Sequence, residues 1–297
     1  MNEITQASCP LCGLEHSTRL FIHNNHLGLK CLACGLVYMS AFPSQQDLDT
    51  CYGTYSYGKA INAPDATKAS YQKLLQEFEP YRKTNRILDY GCGQGWFLEE
   101  AKKRGWEVWG VEYSDAAIRL GKEKNIKILT LEEANNFEQG FFDIIVMIEV
   151  LEHVTDIHEP MTKANTWLRP GGLFYCTTPN FNSIERYYSG LENFRIITWP
   201  EHLNYFTRKT LCRIAKKHCF TKKKVLTTGL SFSLKKTKKT LDDGTTVITN
   251  TDEQIREKIN GNVVLRLLKK IANTILTITG LGVTLKGYFI KPTQNKQ

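Results

Sequence analysis

The sequence lacks the features that would place it inside a membrane or outside the cell. Its 297 residues contain no run of about 18 uninterrupted apolar residues, so no transmembrane helix is expected. The first ten residues, MNEITQASCP, have neither a basic nor an apolar region, so we expect no secretory signal. Apolar residues make up 41% and charged residues 23%, which excludes collagen-like, coiled-coil and wholly disordered chains. We therefore expect a globular cytoplasmic protein.

The centre of the chain has no excess of basic residues over acidic ones. Residues 1–85 hold 7 basic and 7 acidic residues, residues 86–220 hold 17 and 18, and residues 221–297 hold 15 and 5. An enzyme of nucleic acids would more often carry its basic residues around its catalytic cleft. We therefore expect no nucleic-acid partner, and the basic last quarter instead allows peripheral contact with the inner face of a membrane.

Two pairs of cysteines near the N-terminus have metal-binding spacing. Cys9-Pro-Leu-Cys12 and Cys31-Leu-Ala-Cys34 are separated by 18 residues, and each pair is followed by glycine. Two thiolates three positions apart on a tight turn can reach one metal, and a second turn completes a tetrahedron. Because four thiolates leave no open position, we predict structural Zn²⁺ in a zinc ribbon over residues 1–40. A linker is expected over 41–66, and the histidines of the ribbon loop are expected at the surface.

From residue 86 onward, short apolar runs alternate with helical stretches, which is the pattern of an α/β parallel sheet. Strands are predicted over 86–90, 107–112, 126–130, 142–148, 172–177, 222–228 and 283–290. Helices are predicted over 67–81, 95–104, 115–124, 159–168 and 207–219. The segment Leu168-Arg-Pro-Gly-Gly172 is expected to break the chain before the fifth of these strands.

The first strand ends in a glycine-rich turn, Asp89-Tyr-Gly-Cys-Gly-Gln-Gly95. Such a turn between strand and helix lets a ligand lie directly on the backbone. A nicotinamide site needs its third glycine at position 96, where Trp96 stands, so the dinucleotide fingerprint fails. Glu112 follows at the predicted end of the second strand, where a carboxylate can accept hydrogen bonds from both hydroxyls of a ribose.

Several motifs together resemble class I S-adenosylmethionine-dependent methyltransferases. They are Ile87-Leu-Asp-Tyr-Gly-Cys-Gly-Gln-Gly95, Gly110-Val-Glu-Tyr-Ser114, Phe142-Asp-Ile144, Glu149-Val-Leu-Glu-His-Val154, Leu168-Arg-Pro-Gly-Gly-Leu173 and Thr178-Pro-Asn180. Within that family, residues 70–220 look most like ubiquinone-biosynthesis O-methyltransferases and the methyltransferases of surface-polysaccharide clusters. The resemblance implies a Rossmann-like, doubly wound seven-stranded sheet of order 3-2-1-4-5-7-6 whose seventh strand is antiparallel. The methyltransferase domain is expected over 67–297.

The resemblance also implies the cofactor and the residues that bind it. S-adenosyl-L-methionine would place its methionine part on the glycine-rich turn and its ribose on Glu112. The expected cofactor-binding residues are Asp89, Gly91, Cys92, Gly93, Gly95, Glu112, Tyr113 and Glu149. An acidic residue near the adenine is expected within Leu131-Glu-Glu133.

Two histidines are candidate catalytic residues. His153 lies just past the predicted fourth strand, at the end of the sheet where open α/β folds bind ligands. His202 lies in Trp199-Pro-Glu-His-Leu-Asn-Tyr-Phe206, which resembles a His-x-x-x-Phe segment of this branch of the family. Methyl transfer needs mainly alignment of the nucleophile, with a base only for an acceptor of high pKa. For each histidine, a general base and a structural hydrogen bond to a loop carbonyl both stay open.

An insertion of about 50 residues, over 230–280, separates the last two predicted strands. Its first half is polar and is expected to form a loop, whereas residues 252–278 have helical periodicity. One face of that helix carries Val264, Leu267, Leu268, Ile271, Ile275 and Ile278. The face either packs on the catalytic domain or forms a basic amphipathic surface for an anionic membrane or lipid-linked substrate.

These observations favour a methyltransferase that acts on a small molecule or a glycan, such as a surface polysaccharide or lipid-linked sugar, with oxygen as the expected acceptor atom. Two other interpretations stay open. One is an rRNA guanine methyltransferase, since one such group joins an N-terminal zinc module to this fold. The other is a non-catalytic module that binds the cofactor, although the intact glycine turn and Glu112 argue against it.

Overall fold

Strands and helices alternate along most of the chain in the computed structural model, which describes residues 8–44, 46–48, 62–229, 237–240, 246–249 and 262–293. The strands are β1 (Ser17–His23), β2 (His26–Cys31), β3 (Val37–Met39), β4 (Arg86–Tyr90), β5 (Glu107–Val111), β6 (Lys127–Leu129), β7 (Phe142–Ile148), β8 (Leu168–Pro179), β9 (Asn204–Tyr205), β10 (Thr221–Thr228), β11 (Thr237–Thr240), β12 (Thr246–Thr249) and β13 (Thr284–Ile290). The helices are α1 (Asp65–Phe78), α2 (Trp96–Lys103), α3 (Asp115–Glu123), α4 (Leu131–Ala134), α5 (His158–Trp167), α6 (Ile184–Ser189), α7 (Arg208–Lys217) and α8 (Val263–Thr279).

Seven strands form the central sheet in the order β10-β13-β8-β7-β4-β5-β6. Numbered by their succession within this sheet, they read 3-2-1-4-5-7-6 from the β6 edge, so the predicted fold and strand order are confirmed. The strand β13 runs antiparallel to both β8 and β10, as expected. The central strand β7 is buried along nearly its whole length, because helices cover both faces of a parallel sheet. Because β4 runs parallel to both β5 and β7, the carboxyl ends of these three strands share one edge.

A second, smaller sheet lies next to the N-terminal cysteines, and Cys31 ends one of its strands. Its order is β1-β2-β3-β9, and all of its pairs are antiparallel. The turns after Cys9 and Cys31 close through hydrogen bonds from the Gly13 and Gly35 amides to the Cys9 and Cys31 carbonyls, at 2.8 and 2.9 Å. Both glycines have left-handed backbone, with φ of +78° and +83°. The fourth strand of this sheet comes from residues 204–205, far along the chain.

The structure corrects two of the predicted elements. The segment 168–172, expected as a break, lies inside β8, because an irregular register beside Phe142 and Ile144 absorbs its extra residues. The predicted loop before the last helix contains the hairpin β11–β12. The predicted helix over 252–278 is described only from Val263, where the Asn262 side chain caps its first turn, and residues 250–261 lie outside the described part of the chain.

The apolar face of α8 points away from the domain. The helix contacts β10 through the opposite face: Leu276 is buried, the Thr277 hydroxyl donates to the Thr227 carbonyl at 2.9 Å, and Asn273 accepts from the Gly229 amide at 2.9 Å. Of the two alternatives left open for this face, packing on the described part of the domain is therefore not what the structure shows. Among the described residues, no helix has the length and apolarity needed to cross a bilayer.

A buried carboxylate ties the start of β4 to β8. Asp143 is fully buried, and its Oδ2 atom accepts hydrogen bonds from the backbone amides of residues 83, 84 and 85 at 2.6–2.8 Å. Its Oδ1 atom accepts from the Arg169 guanidinium at 2.5 Å. Burial alone would raise the pKa of Asp143, but these donors hold the pKa below its ordinary value.

We expect Asp143→Ala to lower the free energy of unfolding by about 3–5 kcal/mol, because it leaves a buried guanidinium and three amides without their acceptor. Since the pKa of Asp143 is depressed in the folded state, its contribution is full above the unfolded-state pKa. It is lost as pH falls through the folded-state value. Urea unfolding at several pH values measures this. Lys68→Ala, which breaks a surface ion pair with Asp65, is the control and should cost under about 1 kcal/mol.

Candidate functional site

The glycine-rich turn leaves β4 at the carboxyl edge of the central sheet. Gly91, Gly93 and Gly95 all have positive φ, at +77°, +52° and +76°. The Gly91 amide donates to the Val111 carbonyl at 2.8 Å, which holds the turn against the end of β5. A Cβ atom at Gly91 would meet the Val150 side chain at 2.6 Å. The turn therefore needs glycine both for its backbone conformation and for its close approach to the loop after β7.

Glu112 lies directly after β5 and faces this turn. One carboxylate oxygen accepts a hydrogen bond from the Gly93 amide at 2.7 Å. The other accepts from the amides of Tyr113 and Ser114 at 2.8 and 3.1 Å. Three backbone donors thus fix the orientation of the carboxylate. They occupy three of its four lone-pair sites, which leaves one, on the oxygen that faces Gly93, for a ribose hydroxyl.

Asp89, the last carboxylate of β4, is buried and incompletely paired. Its Oδ1 atom has no hydrogen-bond partner among the residues described. Burial, followed by the charge of Glu112, raises the pKa of Asp89 to about 8. A cationic group bound beside it would relieve this cost, and S-adenosylmethionine carries both an ammonium and a sulfonium group. The residues at this edge therefore fit that cofactor.

The other predicted cofactor residues take different positions around the turn. The Cys92 side chain is buried, and a Cβ atom at Gly110 would meet its sulfur at 2.6 Å, so Cys92 packs between β4 and β5. Tyr113 is 75% exposed at the rim. Glu149 follows β7 with a φ of +55°, and its amide donates to the hydroxyl and carbonyl of Thr177.

One side chain near the site, that of Tyr71, belongs to none of the sequence motifs. Tyr71 of α1 lies near Asp89 and Glu149, and burial together with those two charges raises the pKa of Tyr71 to about 12. Its ring also contacts Phe97 edge to face, with centroids 5.5 Å apart. The periodicity of α1 showed only that Tyr71 belongs to the apolar face. Its position near Asp89 depends on how α1 packs on α2, and no local sequence pattern indicates that packing.

The two candidate catalytic histidines meet beside the loop after β7. Their ring centroids are 4.8 Å apart. The Nδ1 atom of His153 lies 2.8 Å from the Glu201 carbonyl, and that of His202 lies 2.7 Å from the Ile196 carbonyl. Since a carbonyl can only accept, both Nδ1 atoms donate, and both Nε2 atoms are left as acceptors. Each histidine thus makes the expected structural hydrogen bond and keeps a basic nitrogen.

Glu152 extends this pair into a cluster. It is buried, and neither carboxylate oxygen has a hydrogen-bond partner in the described part of the chain. Each of the three side chains offers one ligand atom, and these atoms lie within 4.8 Å of one another in Glu152, His153 and His202. Burial, and then the charge of Glu149, raises the pKa of Glu152, whereas burial lowers the pKa of His153 to about 4. One carboxylate and two imidazoles could also hold a divalent cation.

The four N-terminal cysteines converge on one point. All four sulfur atoms lie within 4.8 Å of one another, with Cys9 and Cys34 at 3.4 Å and Cys12 and Cys31 at 3.5 Å. A tetrahedral zinc with Zn–S bonds of about 2.3 Å would separate its sulfurs by about 3.8 Å. The arrangement fits a structural Zn²⁺ held by these four thiolates.

The cysteine-bearing sheet reaches the histidine cluster through β9. The Met39 amide donates to the Leu203 carbonyl at 2.9 Å, and the Leu203 amide donates to the Glu152 carbonyl at 2.7 Å. His26, expected at the surface, stacks on Trp199 with ring centroids 4.0 Å apart. The segment 194–206, which contains His202, therefore contacts both the small sheet and the loop after β7.

Known proteins share parts of this chain. A sequence model described as Methyltransferase domain matches residues 65–224, more than half of the chain. The ubiquinone biosynthesis O-methyltransferase of Bradyrhizobium sp. (strain ORS 278) is 38% identical over 105 residues, 33% of this chain and 41% of that protein. That of Bordetella avium (strain 197N) is 28% identical over 116 residues, 36% of this chain and 48% of that protein. The chain thus spans less than half the length of these curated relatives.

A solved structure shows the same fold. A SAM dependent methyltransferase from Archaeoglobus fulgidus superposes with a TM-score of 0.51 at 21% identity, over 75% of this chain and 94% of that one. The class I methyltransferase fold predicted from the motifs is therefore confirmed.

Proposed function

Because the chain belongs to the methyltransferase domain family, we propose that it transfers a methyl group from S-adenosylmethionine to a hydroxyl group of a small molecule or glycan. The observation that carries the proposal is the Glu112 carboxylate, fixed 2.7 Å from the Gly93 amide beside the incompletely paired Asp89. The names of the curated relatives support oxygen as the acceptor atom. When bound, the cofactor supplies a sulfonium methyl group with a neutral leaving group.

Different residues at and beside the turn would bind different parts of the cofactor. The backbone of Gly91, Gly93 and Gly95 would lie against the methionine part, and Asp89 would balance its positive charge. Glu112 would accept a hydrogen bond from a ribose hydroxyl. These roles follow from the donors and acceptors at the carboxyl edge of the sheet, where open α/β folds bind ligands.

The acceptor would enter from the other half of the same edge. We expect the ends of β7 and β8 and the segment 181–206 to line that side, since β4, β5 and β6 would be covered by the cofactor. His202 would then take the proton of the hydroxyl at its Nε2 atom, since its Nδ1 atom is engaged by the Ile196 carbonyl. His153 is the second candidate for this role, with the same free nitrogen.

Glu112→Ala tests the cofactor site directly. We expect the affinity for S-adenosylmethionine to fall about 10- to 150-fold, because charge-assisted hydrogen bonds to a carboxylate contribute about 1.5–3 kcal/mol. Isothermal titration calorimetry measures the dissociation constant. Glu107→Ala, at the opposite and exposed end of β5, is the matched control and should bind as the wild type does. An unchanged affinity of a folded Glu112→Ala variant would contradict the cofactor site.

A further inference from the structure

A lysine, Lys286, lies on β13, between β8 and β10 in the central sheet. Its backbone pairs with Thr177 of β8 on one side and with Leu226 of β10 on the other. Because Thr177 comes two residues before the end of β8, Lys286 lies close to the carboxyl edge, on the half that the acceptor would approach. Its side chain is partly buried, although lysine side chains are mostly exposed in proteins.

The side chain of Lys286 leaves the sheet on the face that α1 covers. Successive side chains of a strand point to opposite faces, so Lys286 shares its face with Tyr288. The ring of Tyr288 packs on Tyr175 with centroids 4.8 Å apart, and Tyr175 packs on Phe78 of α1 with centroids 5.5 Å apart. Lys286 therefore lies beyond these aromatic rings, toward the carboxyl edge.

The ammonium group of Lys286 has neither a hydrogen bond nor an ion pair within the described part of the chain. Burial lowers the pKa of Lys286, because it disfavours the charged form. The charged groups that act on this ammonium are two cations and two anions, namely Lys269, Lys73, Glu77 and Glu149. A partly buried cation without a direct partner would be stabilised by an anion bound beside it.

The charge around Lys286 is positive on balance. Glu77 is engaged by Lys224 in an ion pair of 2.9 Å, so its charge is largely neutralised. With Glu149 counted, the lysines at positions 73, 269 and 286 still leave an excess of positive charge. Lysine binds phosphate as a point charge, whereas the planar guanidinium of arginine is the better match for a carboxylate. A phosphate group is therefore the anion that fits best.

We propose that Lys286, together with Lys73 of α1, binds a phosphate group carried by the acceptor. The inference rests on the proposed function, because it takes this half of the carboxyl edge as the acceptor side. The Glu149 charge also raises the pKa of Glu152, which belongs to the cluster with His202, so Glu149 lies near both the lysine and that cluster. The acceptor would thus be a phosphorylated hydroxyl compound, such as a sugar phosphate, whose hydroxyl group reaches His202.

Titration of the full chain with inorganic phosphate, followed by phosphorus NMR at constant ionic strength, tests the proposal. We expect saturable binding of phosphate to the wild type in the presence of S-adenosylhomocysteine. Lys286→Met removes the charge and keeps the aliphatic part, and it should weaken phosphate binding at least about tenfold because a charge-assisted hydrogen bond is lost. Lys223→Met is the matched control, since Lys223 is exposed near the start of β10, at the opposite end of the sheet. Calorimetry should give all three proteins the same affinity for S-adenosylhomocysteine.

The proposal is wrong if the wild type binds S-adenosylhomocysteine but no phosphate, or if Lys286→Met binds phosphate as the wild type does. Equal losses in Lys286→Met and Lys223→Met would show a diffuse basic surface in place of a site. Acetate that binds as tightly as phosphate would assign the lysine to a carboxylate and overturn the phosphate assignment. A protein that binds phosphate through Lys286 but does not bind S-adenosylhomocysteine would contradict the proposed function and confirm the phosphate site alone.

Discussion

Cys31→Ser is expected to abolish zinc binding by the four cysteines and to loosen the segment 194–206, about 165 residues further along the chain. In isolated zinc domains, structural zinc contributes on the order of 10 kcal/mol of folding free energy, so the loss of one ligand should unfold the small sheet. The strand β9 would then lose its partner β3, and the Leu203 carbonyl would lose the Met39 amide. The stacking of His26 on Trp199 would be lost as well.

Metal analysis and hydrogen–deuterium exchange measure the two parts of this result. The wild type should hold about one zinc per chain, and the variant should hold none. Amides of residues 194–206 should exchange at least about tenfold faster in the variant, while those of β4 and β5 keep their protection. Cys219→Ser, which removes an exposed cysteine outside the cluster, is the control and should change neither measurement. Unaltered exchange over 194–206 in a zinc-free variant would show that the ribbon does not position this segment.

His202→Ala is expected to lower kcat by roughly 10²–10⁴-fold, the usual contribution of a general base. The affinity for S-adenosylmethionine should stay the same, because His202 lies on the acceptor side of the edge. The measurement is the rate of S-adenosylhomocysteine release with a hydroxylated acceptor identified by screening. His16→Ala, on the exposed surface of the ribbon, is the matched control and should keep the wild-type rate.

His153→Ala decides which imidazole takes the proton. An equal fall in kcat for this variant alone would assign the base to His153. If neither variant slows turnover more than a few-fold, methyl transfer depends on alignment of the substrates alone, and both assignments are wrong.

A third result concerns the cluster that His153 and His202 form with Glu152. If added Mg²⁺ or Mn²⁺ raises the wild-type kcat and His202→Ala abolishes that response, His202 is a cation ligand instead of a base.

The sequence predicted the central sheet and the cofactor turn well because both are encoded locally. Short segments rich in apolar residues match β4, β5 and β7. The positive φ of Gly91 and Gly95 explains why glycine recurs in the turn. Glu112 could be found because it directly follows β5, which lies next to β4 in the sheet. In each case, a short segment and its neighbour determine the geometry.

The features that the sequence did not predict all depend on contacts between distant segments. The strand β9 has only two residues, and nothing in Asn204-Tyr205 indicates that it pairs with β3. The amphipathic pattern of α8 located a stripe correctly, but periodicity cannot say which face meets the domain. Here hydrogen bonds from Asn273 and Thr277 decide the orientation, and polar residues carry no such signal in a hydrophobic pattern.

The late arrival of β9 has a consequence for biosynthesis. Val37 pairs with Tyr205, 168 positions later, so during synthesis β3 remains an open sheet edge long after the cysteines have left the ribosome. At about 5–20 residues per second, the nascent chain waits roughly 8–34 seconds for its last strand. Unpaired edges are the places where chains associate wrongly. Early metal loading would order β1–β3 during this interval, so the supply of zinc to the nascent chain should influence the yield of the folded protein.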